Sequence, residues 1–148
     1  MNENSRATSE EAFLLLRHLV RTGRIAEARL DGLLGNIELS VTKLLTLRQL
    51  EQTDEPLSLS QLAFCLAFVK SNATQVVDHL ETDGLVKRLP APHDRRCTLL
   101  GLTEEGQERY EAARAALQPL ITKIYTLYTP EERTQLLTLL QRLEEGLK

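Results

Sequence analysis

The chain has 148 residues, enough for one domain with an added oligomerisation element and too few for two large lobes. At this length roughly 70% of the unfolded surface can be buried, so no metal or disulfide staple is needed, and 42% hydrophobic with 26% charged residues excludes wholesale disorder. With 18 basic against 21 acidic residues the net charge is −3, which excludes binding by bulk positive charge but leaves room for a local basic patch.

The first residues, MNENSRATSEEAF, carry acids where an export leader needs a basic and then an apolar stretch, and no apolar run approaches the ~20 residues of a membrane span. The expectation is a cytoplasmic protein without membrane partners. Ser9, with Glu10 and Glu11, predicts a helix start. Ala12, Leu16, Leu19, Gly23, Ala26, Leu30 and Leu33 then recur at steps of three and four, the stripe of a long helix ended by Gly32 and Gly35. On it His18 is expected to be partly buried. A second helix reads from about Glu38 to Thr53 and stops before Pro56.

LSLSQLAFCLAF predicts a short helix capped by Ser58 or Ser60, with Leu62, Ala63 and Leu66 inward and Cys65 among them as an inert core thiol. KSNATQVVDHLETDG predicts the next helix, closed by Gly84. LVKRL and CTLLGL read as a two-stranded hairpin around APHDRR. Thr103, Glu104 and Glu105 open a further helix, in which Tyr110, Ala113, Leu117, Leu120, Ile124 and Leu127 form a heptad seam. Thr129 and Pro130 open the last, in which Leu136, Leu140, Leu143 and Leu147 continue it.

Helices followed by a hairpin, in this order, predict a mainly α, α+β fold: a winged helix-turn-helix with long N- and C-terminal dimerisation helices. The expected organisation is an N-terminal dimerisation helix over 1–35, a DNA-binding region over 36–102 and C-terminal dimerisation helices over 103–148. The apolar stripes of the flanking helices exceed what one small core can cover, which points to a homodimer.

Within residues 57–102, five basic residues (Lys70, Lys87, Arg88, Arg95, Arg96) meet four acids (Asp78, Glu81, Asp83, Asp94), while the rest of the chain is net acidic. On the helix from Lys70, Ala73, Val76, Val77 and Leu80 face inward. At 100° per residue this puts Ser71, Gln75, Asp78 and Thr82 on the opposite side, flanked by Asn72, Thr74 and His79. Amides and hydroxyls of this kind read base edges, and Lys70 at the helix start suits a phosphate. Lys70, Ser71, Asn72, Thr74, Gln75 and His79 are therefore candidate DNA contacts, as are Lys87 and Arg88 beside the hairpin tip. A solvated helix face is also polar, so the face alone does not decide.

The stretch from Leu59 to Gly106, above all GLVKRLPAPHDRRCTLLGLTEEG after SNATQVVDHLETDG, resembles the MarR family of winged helix-turn-helix transcription regulators. The family's wing signature, an acid, any residue and an arginine, is matched by Asp94, Arg95 and Arg96. The resemblance implies that Arg96 enters a minor groove while Asp94 orients it by an ion pair. It also implies a palindromic double-stranded operator and a cleft taking small amphipathic, often aromatic effectors, for which Leu33, Leu44, Leu47 and Tyr110 are the candidate lining. Ala91 stands where the family often has an acid, and Gln75 and His79 stand where it often has cations, which implies fewer phosphate contacts.

No nucleophile elbow, phosphate loop or metal-ligand spacing is present, and His18, His79 and His93 lie far apart. No enzyme activity, cofactor or metal is expected. Two alternatives stay open. One is a winged-helix module that binds protein. The other is a thiol-based redox sensor using Cys97, whose neighbouring cations could lower its pKa.

Overall fold

A computed structural model describes the backbone of residues 3–91 and 98–147, and the side chains from residue 8 onward. It divides into two compact units, residues 1–113 and 114–148.

In the first unit α1 spans Glu3–Leu34, a stretch of good helix formers without proline. It starts six residues before the expected Ser9 cap and runs through Gly32. It ends in a 3-10 turn, Gly35–Ile37, after which Glu38 takes a left-handed conformation with φ of 58°. That turn delays α2 to Val41–Glu51, where the Ser40 hydroxyl accepts from Lys43 N and Asp31 Oδ1 accepts from Val41 N at 3.1 Å. Thr46, fully buried, donates its hydroxyl to the Thr42 carbonyl at 2.9 Å and so costs the core nothing unsatisfied.

Leu57–Ser58 is a short strand, β1, that the sequence reading did not separate from the following helix. Ser58 caps α3, Leu59–Cys65, in a reciprocal box with Gln61. α4 spans Lys70–Thr82 and closes on Gly84 at φ 75°, with Gly84 N bonding to Glu81 O and Leu85 N to Leu80 O. These paired bonds are a Schellman stop, and they turn the chain directly into β2, Val86–Pro90. β3, Thr98–Leu102, pairs antiparallel with both other strands, giving the order β1-β3-β2 and the registers Leu57↔Leu100 and Arg88↔Leu100. The expected two-stranded hairpin is thus a three-stranded sheet.

Leu34, Leu39, Leu47, Leu62, Val77, Leu80, Leu85, Leu100, Tyr110 and Ala113 are buried core residues of this unit. Helices α2 to α4 and the sheet thus form the winged helix-turn-helix. α5, Glu104–Thr126, begins where Thr103 Oγ1 accepts from Gly106 N and donates to Gly84 O at 2.6 Å.

In the second unit the end of α5 is followed by α6, Pro130–Gly146, opened by a Thr129–Glu132 capping box. Arg133 stacks 3.7 Å over the Tyr125 ring and donates to the Tyr125 and Tyr128 carbonyls, which locks the turn. No described residue of α6 is buried. Among the described residues no helix is long and apolar enough to cross a membrane.

Candidate nucleic-acid interface

Helix α4 is held by its inner stripe. Ala73, Val77 and Leu80 are buried and Val76 is half-buried, which fixes the helix's rotation about its axis. The outer side follows from that rotation. Ser71, Asn72, Gln75, Asp78, His79 and Thr82 are exposed, and Thr74 is half-buried. The hydroxyls of Thr74 and Thr82 bond back to the carbonyls of Lys70 and Asp78, whereas the described residues offer Gln75 and Asn72 no side-chain partner. Two free amides at one end of a rigid, outward helix are base-reading chemistry.

Charge is arranged to leave that face available. Glu81 and Asp78 both accept from the Arg88 guanidinium, Glu81 at 2.8 Å from Nε, and Asp83 pairs with Lys43 on α2 at 2.6 Å. Each acid of the segment 70–83 is therefore ion-paired with the surrounding scaffold, Asp83 to Lys43 and the other two sharing Arg88. Lys70 and Lys87 are exposed and, among the described residues, make no ion pair. The guanidinium of Arg88, which was expected as a DNA contact, is ion-paired with Asp78 and Glu81 of α4. The wing residues Asp94, Arg95 and Arg96, and with them His93 and Cys97, lie outside the described residues.

Three further expectations meet a different environment. Of the expected effector lining, Leu44, Leu47 and Tyr110 are buried in the core of the first unit and Leu33 is half-buried. Cys65 is exposed, not a core thiol, because it falls to one side of the arc in which Leu62 and Ala63 are buried. His18 is exposed along with the whole of residues 11–20.

Residues 39–98 match the model of the MarR family. This segment of the chain is similar to the MarR family. A mutant MarR from E. coli complexed with operator DNA is 23% identical with a TM-score of 0.81, covering 90% of this chain and 95% of that one. The S. aureus MepR–DNA complex is 20% identical with a TM-score of 0.80, covering 88% and 96%. At these identities both show the fold alone. CouR from Rhodococcus jostii RHA1, bound to p-coumaroyl-CoA, is 26% identical with a TM-score of 0.77, covering 84% and 87%. The family match spans α2 through the start of β3, the same segment that carries the exposed amides and the ion-paired acids.

Proposed function

We propose that this chain is a sequence-specific, DNA-binding transcription regulator that acts as a homodimeric repressor. The observation that carries the reading is the outer face of α4, where Ser71, Asn72, Gln75 and His79 stand exposed while Asp78, Glu81 and Asp83 are held by Arg88 and Lys43. In this reading α4 lies in a major groove, Lys70 and Lys87 meet phosphates, and the hairpin tip with Arg96, oriented by Asp94, enters the adjacent minor groove. Residues 1–35 and 103–148 supply the dimer, so the half-sites lie about one helical turn, ~10 bp, apart. Solved relatives with bound DNA support the reading, and the relative with bound p-coumaroyl-CoA supports relief of binding by a small amphipathic effector.

Selection of bound duplexes from a random pool tests this directly. A palindrome with two half-sites is expected, and a pool without any enriched sequence would overturn the reading. On the recovered site Gln75→Ala should cost roughly 1–3 kcal/mol and relax the preference at one base pair, as loss of a bidentate contact does. Equal loss on all duplexes would make Gln75 a backbone contact. Binding must also weaken steeply with salt, whereas docking of a protein on an apolar face would barely change.

A further inference from the structure

Strand β2 alternates its side chains between the two faces of the sheet. Val86 is buried, so Arg88, two residues on, shares the face that packs on α4, and Lys87 points the other way into solvent. On α4, Asp78 and Glu81 are three residues apart and therefore neighbours on one side of the helix. Arg88 spans them: Nε donates to Glu81 Oε2 at 2.8 Å and Nη2 donates to Asp78 Oδ1. A planar guanidinium holds two carboxylates in fixed geometry, and an ammonium on a flexible stem does not. The arginine side chain keeps 35% of its accessible surface, so most of it is withdrawn from solvent in this position.

We propose that Arg88 is a positioning residue for DNA binding: by holding Asp78 and Glu81 together it fixes the wing strand to the reading helix and offsets one of the two negative charges beside the DNA face. The proposal rests on the DNA-binding reading above, and it moves Arg88 from the contacts into the frame that holds them. Wing and helix then approach the duplex as one body. A loose wing would instead have to be ordered at the moment of binding, at a cost in affinity.

The test compares Arg88→Lys and Arg88→Ala in the full-length protein, each also in an Asp78→Asn, Glu81→Gln background, on one selected duplex over a salt series. Lysine keeps the charge and loses the fork, so Arg88→Lys should bind about threefold to tenfold more weakly, the scale of a partly exposed ion pair. The slope of log affinity against log salt should stay at the wild-type value, and in the acid-neutral background Arg88→Lys should cost nothing more. A phosphate contact predicts the reverse. Arg88→Lys would then bind as wild type, Arg88→Ala would shrink the slope by about one unit, and the loss would be equal in both backgrounds.

A second readout needs no DNA. Hydrogen exchange of the β2–β3 amides should speed up in Arg88→Lys and Arg88→Ala, and unchanged exchange would overturn the clamp. Were the wild type to bind no duplex, the DNA-binding reading would fall while exchange still decided whether Arg88 holds the strand to the helix.

Discussion

Gly106 is the residue on which the start of α5 depends. A Cβ built there would lie 2.0 Å from the Leu85 carbonyl oxygen and 2.9 Å from its carbon, and both are backbone atoms that cannot swing aside. In an open helix glycine to alanine gains up to ~1 kcal/mol, but here the clash decides the sign. Gly106→Ala should destabilise the protein by roughly 1–3 kcal/mol, seen as a lower denaturation midpoint, and a raised midpoint would reject the close approach. Other residues were legible to different degrees. The exposed amides of Asn72 and Gln75 follow from helical phase alone, because the inner stripe of α4 is unambiguous. Arg88 was readable too, since strand alternation from an apolar Val86 puts it on the inner face, but a basic residue beside a basic tip suggests DNA first. Cys65 misled because its neighbours in sequence are apolar. In angle it lies roughly 110° from the middle of the inward arc, on a helix too short to be covered on all sides.

Among the elements, α4 and the hairpin strands were legible from their punctuation, whereas the Ser9 and Gly32 signals did not mark the ends of α1. α4 begins at Lys70 and closes through Gly84 as read, and the hairpin strands fall within LVKRL and CTLLGL apart from one residue at Pro90. β1 has only two residues, too few for any alternation to show, and its identity comes from pairing with β3 far along the chain. α6 is the element whose start carries a titratable signal. The Glu131 carboxyl is held below its ordinary value of 4.5, first by a backbone hydrogen bond at its own position and then by the Thr129 hydroxyl. A lowered value means that the folded helix start favours the carboxylate. This contribution is present at neutral pH and is lost as pH falls below 4.5 through the folded-state value. Protection of the first-turn amides of α6 against hydrogen exchange, taken relative to their intrinsic rates at each pH, should therefore fall in acid more than in Glu131→Gln, which has no carboxyl to titrate. Identical acid profiles for the two proteins would remove Glu131 from the cap.

At the scale of the molecule the decisive feature is apolar surface that the single chain leaves uncovered. On α1, Phe13 is 69% and Leu15 63% exposed, and in the second unit Ile124, Leu127, Leu137 and Leu147 are all more than half exposed. There the end of α5 and α6 enclose an apolar groove lined by Ile121, Ile124, Tyr125, Tyr128, Leu136 and Leu137. The heptad seam was legible as a pattern, yet periodicity cannot say whether its partner is the same chain or a second copy. Exposure adds the missing physical term, since uncovered patches of this extent mark an interface or an aggregation surface. If the partner is a second copy, truncation before Thr129 deletes α6 and with it half of the seam while leaving residues 1–113, which contain the buried core, intact. The truncated protein should keep its sheet and helix signals, sediment as a monomer, and lose the steep preference for two half-sites over one. A truncated chain that still sediments as a stable dimer would assign the interface elsewhere and leave the apolar face of α6 without a role in assembly.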